Sequence, residues 1–173
     1  MLVALTACGS SARAPAVSNA GAGGAVAADP HGSRDALVRA TFARMGAGDL
    51  EGLLELANKR PAYDSALACT GAPEDETAGL REHLAPPAQN GKGHTIEVLH
   101  VDLAEPVSTM GVGEQFSERC TTKVAIHWHS LTAKLRIRAA NRSGAPREAT
   151  AWVNVYDIAG RWYLAALQQQ LDQ

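Results

Sequence analysis

Apolar residues recur at a helical period in the first half of the chain and alternate with polar residues in the second half. After residue 33, one apolar helical face is formed by four residues: Val38, Thr41, Phe42 and Met45. With Ser33 as a candidate N-cap, this spacing predicts a first helix of about four turns. Gly46 and Gly48 are predicted to end it, because glycine favours helix C-termini.

Two more helices are predicted before the alternation begins. Asp49 is a candidate cap for the second helix, whose apolar residues repeat from Leu50 to Ala57 until Pro61 closes the segment. The third is predicted over 73–84, with acidic residues in its first turn, where the helix dipole favours negative charge. Three helix breakers are predicted to terminate it: Pro86, Pro87 and Gly91.

The alternating half of the chain predicts three strong strands and two weaker ones, and two β-hairpins can be drawn among them. The first joins a strand over 120–128 to a strand over 133–139 through a turn at Ser130 and Leu131. Its inward face is predicted to carry Cys120, Thr122, Val124, Ile126, Trp128, Ala133, Leu135, Ile137 and Ala139. Its outward face is predicted to carry Arg119, Lys123, His127, His129, Lys134, Arg136 and Arg138.

The second hairpin is predicted to turn at Ala159 and Gly160, where glycine supplies the positive φ that a tight turn needs. This register places Tyr156 opposite Tyr163. The core face is predicted to carry Ala151, Val153, Val155, Trp162, Leu164 and Ala166. The other face is predicted to carry Thr150, Trp152, Asn154, Tyr156, Tyr163, Ala165 and Leu167.

This order of elements resembles the NTF2-like family. The resemblance rests on the run Ala47-Gly48-Asp49-Leu50-Glu51-Gly52-Leu53 between two helices and on Gly160-Arg161-Trp162-Tyr163-Leu164 in the last hairpin, and it spans 33–169. Cystatin-like lipoprotein domains show much the same pattern. The resemblance implies an α+β cone with N-terminal helices on a curved antiparallel sheet around a cavity. The family includes enzymes and noncatalytic binding domains, so the fold alone does not set the function.

The N-terminus resembles the lipobox of bacterial lipoprotein precursors, with Leu5-Thr6-Ala7-Cys8 after a short apolar run. The resemblance implies that Cys8 becomes a lipidated N-terminus at the bacterial cell envelope, facing the periplasm or the cell exterior. The apolar run is shorter than a complete secretory signal, so we expect the true translation start further upstream. The alternative is that Cys8 is an ordinary cysteine in a disordered, alanine-rich segment.

The chain is predicted to have three parts: a truncated signal with the lipidation site at 1–8, a flexible Ala/Gly/Ser tether at 9–32, and one domain at 33–173. A net charge of −2 argues against a nucleic-acid binder. Two thiols remain besides Cys8, and an exported chain favours a disulfide between Cys69 and Cys120. The alternative is that both are separate buried cysteines.

Two pairs of residues are the candidate chemical groups, a histidine with an aspartate and a histidine with a histidine. His100 and Asp102 lie two apart on a predicted strand and are weak candidates for acid–base catalysis in a cavity, although the alternation of Leu99, Val101 and Leu103 favours a solvent-facing pair. His127 and His129 are weak metal candidates, and we favour two solvent-facing histidines because basic residues share their predicted face. We predict no cofactor and no metal.

The outward sheet face is the predicted binding surface. Aromatic and basic residues share it: Trp152, Tyr156, Tyr163, Lys134, Arg136 and Arg138. We expect a homodimer contact or an envelope protein partner there, and the alternative is cover by the domain's own loops. The sequence therefore predicts a lipid-anchored, noncatalytic binding or assembly module. The alternatives are a cavity enzyme of the isomerase, dehydratase or hydrolase type, or a small-molecule carrier.

Overall fold

The computed structural model describes residues 29–71, 77–103, 106–139 and 144–170. This part of the chain has an α+β architecture, in which every strand except the short β1 follows the helices, as the change of period predicts. Its helices are α1 (Arg34–Ala47), α2 (Leu50–Ala57), α3 (Arg60–Ala66) and α4 (Thr77–Gly91). Its strands are β1 (Leu67–Cys69), β2 (His94–Asp102), β3 (Ser108–Met110), β4 (Gln115–Ser117), β5 (Cys120–Thr122), β6 (Ile126–Ala139), β7 (Arg147–Ile158) and β8 (Arg161–Gln170).

The first described residues, 29–32, form a turn that is hydrogen-bonded to β8, although the predicted tether extends to residue 32. The His31 imidazole donates from Nδ1 to the Trp162 carbonyl at 2.7 Å, and the Trp162 amide donates to the His31 carbonyl at 3.0 Å. Asp29 forms an ion pair of 3.2 Å with Arg161. These backbone and side-chain contacts connect the turn at 29–32 to the domain.

The first two helices begin at the predicted caps. The Ser33 hydroxyl accepts from the Ala36 amide at 3.2 Å, and the Asp49 carboxylate accepts from the Gly52 amide at 2.9 Å. Gly48 adopts φ 71° just after α1, which is the left-handed conformation that ends many helices.

The prolines were predicted to end helices, but they lie inside them. Pro61 lies in the first turn of α3, an unpredicted helix, where its missing N–H would have no helical partner. Pro86 and Pro87 lie inside α4 and cannot donate to the carbonyls of Glu82 and His83, and both of these residues are exposed. The buried face continues past them through Leu84, Ala88 and Gly91. The predicted start of this helix at 73–76 lies outside the described residues.

The strands form two sheets. The larger has the order β2-β6-β7-β8, with β3 also pairing with β6, and the smaller has the order β1-β5-β4. Helices α1, α2 and α4 pack on one face of the larger sheet. The main core lies between them, with fully buried Leu37, Phe42, Leu53, Leu131, Leu135, Val153, Val155 and Leu164. Among the described residues, no helix is long and apolar enough to cross a membrane.

The prediction of a first hairpin with a turn at Ser130 and Leu131 is wrong. Ser130 and Leu131 lie inside β6, which runs without a turn and pairs with β7 from Ile126↔Ile158 to Ile137↔Arg147. A two-residue turn needs positive φ, and neither residue is one that adopts it readily. The strand Cys120–Thr122 belongs to the smaller sheet instead. Because β6 is continuous, His129 shares the helix-covered face with Leu131, and Lys134 and Arg136 lie on the opposite face.

The second hairpin turns as predicted. Ala159 and Gly160 have φ of 54° and 79°, and Tyr156 pairs with Tyr163. A bulge follows, since Val155 pairs with Leu164 and Asn154 pairs with Ala166. The extra residue exchanges the two faces beyond it, so Leu167 packs against the main core and Ala166 does not, contrary to the predicted faces.

A second apolar cluster packs α3 and the smaller sheet against the turn end of the larger sheet. Its buried members are Ala62, Tyr63, Ala66, Leu67, Cys120, Ile126, Ile158 and Tyr163. Cys69 and Cys120 pair across β1 and β5 and are joined by a disulfide. The disulfide therefore holds the smaller sheet together beside this cluster.

Candidate functional site

In the part of the chain that the structure describes, α1, α2 and α4 leave one face of the larger sheet open, and α3 and the smaller sheet cover only one end of it. We define the open face by the outward side chains of four strands: Thr95, Glu97, His100, Asp102, Thr132, Lys134, Arg136, Arg138, Glu148, Thr150, Trp152 and Gln168. These residues are exposed, except that Thr132, Thr150 and Trp152 are partly exposed. The open face is broad, polar and built on paired strands.

Charges on the open face cancel. It carries three basic residues and three acidic ones, with Arg136 at the centre. The Arg136 guanidinium lies 3.3 Å from the Glu97 carboxylate and 3.6 Å from that of Glu148, on the two strands beside it. The strongly basic surface predicted from the sequence is therefore neutralised by carboxylates that cross-strand pairing brings to it.

Trp152 lies in the middle of a row of polar side chains. In this row Asp102 pairs with Thr132, Thr132 with Trp152, and Trp152 with Gln168. Adjacent strands are about 5 Å apart, so hydroxyl and amide groups lie close to the indole on both sides. The row presents one large aromatic side chain among donors and acceptors of hydrogen bonds.

The two tyrosines predicted for the same surface do not lie on the open face. Tyr163 is 2% exposed and belongs to the second apolar cluster. Tyr156 is partly buried, and the Lys59 ammonium lies 4.5 Å from its ring centroid. This part of the sheet is covered by the domain itself, because α3 and the smaller sheet pack over it.

His100 and Asp102 form the predicted pair at the surface of the open face. The His100 Nε2–H donates to the Asp102 carboxylate at 2.9 Å, and the side chains are 62% and 52% exposed. A bulge at Leu99 separates this pair from buried Val98 and restores the inward position of Val101. The pair therefore faces solvent, and neither residue lines a described cavity.

The histidines of β6 have different surroundings. His127 is hydrogen-bonded through Nδ1 to the Thr109 hydroxyl at 2.9 Å. His129 is only 6% exposed, lies 5.3 Å from the Trp162 ring, and has no hydrogen-bond partner for Nδ1 in the described part of the chain. The expectation that both face solvent is wrong for His129, because β6 is one continuous strand. The described residues hold no metal-binding group of three or more ligands.

A cleft of about 450 Å³ lies between α2, α3 and the start of α4. Arg81 donates two hydrogen bonds to Glu51 across it, at 2.7 and 3.1 Å. These bonds lower the pKa of the Glu51 carboxyl and raise the pKa of the Arg81 guanidinium. Lys59, which is 8% exposed, also lines this cleft. No spacing in the sequence marks Lys59 as buried, so it is absent from the predicted site residues.

Thr132 and Gln168 are neighbours of Trp152 that were not predicted from the sequence. The signal for Thr132 was present, since Ser130-Leu131 lacks the Gly, Asn or Asp of a tight turn. The signal for Gln168 was absent, because the bulge that sets its face is not marked by glycine. Comparison with known proteins found no matching family model, no similar curated protein and no similar solved structure.

Proposed function

We propose that this chain is a noncatalytic binding or assembly module of the bacterial cell envelope, held at a membrane by a lipid on Cys8. Cys8 and the tether through residue 28 lie outside the described residues, so the anchor rests on the lipobox resemblance. The disulfide between Cys69 and Cys120 supports an oxidising compartment. The open face supports binding, because it is a wide, preformed surface on rigid strands.

The position at which the described residues begin supports this function further. The chain enters the domain at Asp29, beside Arg161 at the start of β8, whereas the Trp152 row meets β8 at Gln168. Seven residues of extended strand separate the two points by roughly 20 Å. The tether would therefore join the domain about 20 Å away from the Trp152 row, which leaves that row free for a ligand.

The single observation that carries the proposal is the open face, which the described residues leave uncovered. Helices α1, α2 and α4 all pack on the opposite side. The alternative of a cavity enzyme would use His100 and Asp102, and both face solvent on the open face. Catalytic carboxyl and imidazole groups generally depend on burial to adjust their proton affinity, and this pair lacks that burial.

The anchor is tested by intact-mass analysis of the chain expressed in bacteria with its native upstream region. We expect a mature species that begins at Cys8 and carries acyl mass, and Cys8→Ser should leave the chain unacylated. The binding surface is tested in the same cells by photo-crosslinking from Gln168 on the open face and from Glu82 on α4, both exposed. Crosslinks from Gln168 alone support the proposal. Equal crosslinking from both positions, or an unprocessed chain, contradicts it.

A further inference from the structure

We propose that the open face binds a neutral polysaccharide, with one sugar ring stacked on the indole of Trp152. This inference rests on the proposed function, in which the open face is the binding surface. It assigns that surface a ligand class from three properties: a single aromatic platform, a flanking row of hydrogen-bonding side chains, and cancelled charge. Each property is a feature of the strand register.

The aromatic platform is Trp152, the only tryptophan among the residues that define the open face. A sugar ring has one face of C–H groups and a rim of hydroxyls, so its apolar face needs a flat apolar partner. The indole is the largest such surface among side chains, and its N–H adds a donor at the edge. Because Trp152 sits on a central strand, its backbone is fixed on both sides by pairing with β6 and β8.

The flanking row matches the hydroxyl rim. Asp102 offers acceptors, Thr132 offers a hydroxyl that both donates and accepts, and Gln168 offers an amide with both functions. Cross-strand pairing places Thr132 and Gln168 directly on either side of Trp152. A polyhydroxylated ring stacked on the indole would therefore meet hydrogen-bonding partners along the row in both directions.

The cancelled charge separates this ligand from an anionic one. An acidic polymer or a phosphate headgroup needs uncompensated positive charge. Arg136 is already paired with Glu97 and Glu148, and Asp102 adds negative charge beside the Trp152 row. A neutral polymer needs no uncompensated charge on such a surface, and an elongated one can follow the row across several strands.

The test uses the full chain with its disulfide intact, in native gels that contain dextran, laminarin, yeast mannan, no polymer or, as an anionic comparison, dextran sulfate. Binding to chitohexaose is measured by isothermal titration calorimetry, which does not need Trp152 as a reporter. We expect retention by at least one of these neutral probes, unchanged between low and high salt. Trp152→Ala should weaken binding at least about tenfold. Trp152→Phe should keep part of the affinity, because an aromatic face remains.

The matched control is Trp162→Phe, which removes an indole from the helix-covered side and should change the affinity by less than about twofold. Circular dichroism shows whether each variant is folded. Failure of all four probes, equal binding by Trp152→Ala, or salt-sensitive binding to dextran sulfate alone overturns the sugar assignment. So does a dimer in sedimentation experiments that Trp152→Ala dissociates, since a second copy would then occupy the face.

The two proposals fail in different ways. If crosslinks from Gln168 persist in cells and are lost in Trp152→Ala while no neutral probe binds, the sugar assignment fails and the binding module stands. If Gln168 gives no crosslink and no probe binds, both fail.

Discussion

Gly91→Ala should destabilise this protein, although the same change usually stabilises a helix. Gly91 is the last residue of α4 and is buried where α4 crosses the end of α1. A Cβ atom built at this position would lie 2.7 Å from the Met45 carbonyl oxygen and 2.6 Å from the Met45 Cγ. The side-chain carbon can rotate away, but the backbone oxygen can move only if the helix moves.

The magnitude follows from the displacement required. Ordinary van der Waals contact of a Cβ begins at 3.4 Å, so the Met45 carbonyl must retreat by about 0.7 Å. Shifting packed backbone to admit one carbon typically costs about 1 to 3 kcal/mol. Alanine offsets up to about 1 kcal/mol through its higher helix propensity. We therefore expect the free energy of unfolding to fall by about 1 to 2 kcal/mol.

The assay is urea unfolding at pH 7 under oxidising conditions, followed by circular dichroism. The matched control is Gly79→Ala in the same helix, because Gly79 is exposed and a Cβ there meets no atom within 4 Å. We expect Gly79→Ala to raise the free energy of unfolding by up to about 1 kcal/mol. If Gly91→Ala is as stable as Gly79→Ala, α1 and α4 do not approach as closely as described, and the reasoning is wrong.

Three further predictions concern the disulfide, the buried histidine and a helix cap. Replacing both disulfide cysteines with serine should lower the free energy of unfolding by about 4 kcal/mol on the chain-entropy model, measured by urea unfolding; an unchanged midpoint would contradict it. His129→Leu should raise stability by about 1 kcal/mol at pH 7, since it removes a buried polar atom without a partner, and destabilisation would argue against that environment. The Gly52 amide and the Arg44 guanidinium lower the pKa of Asp49, so its stabilisation is complete above pH 3.8 and is lost as pH falls through the folded-state pKa. The stability gap between the native chain and Asp49→Asn should therefore shrink in acid unfolding, and a gap that widens would refute the assignment.

The helical half could be predicted from the sequence where local chemistry decides. Ser33 and Asp49 begin helices because their side chains accept the amide bonds that a helix start leaves open. The prolines of α4 could not be predicted to lie inside a helix, because the compensation comes from tertiary packing. Leu84, Ala88 and Gly91 keep the segment on the core, and the residues whose carbonyls lose a donor, Glu82 and His83, are exposed.

The sheet could be predicted only where a turn residue fixes the register. Gly160 marks the second hairpin, and the pairing of Tyr156 with Tyr163 follows directly from it. In β6 the apolar positions change from even to odd residue numbers near Trp128. A turn between two strands would give the same change in the sequence. The physical cause is that the start of β6 is covered on its outer face by the second apolar cluster, so Ile126 is buried there while Leu131 is buried on the other side.

The candidate site depends on the two features that the sequence leaves unmarked. A turn at Ser130 and Leu131 would have left His127 and His129 beside Arg136. In the continuous strand, both histidines lie on the face opposite Arg136. The bulge in β8 then moves Gln168 beside Trp152. Each feature changes the chemistry of the surface, from a basic aromatic patch to a neutral row of polar side chains around one indole. The ligand class proposed for the open face therefore follows from strand register rather than from residue composition, and moving the register by one residue would abolish it.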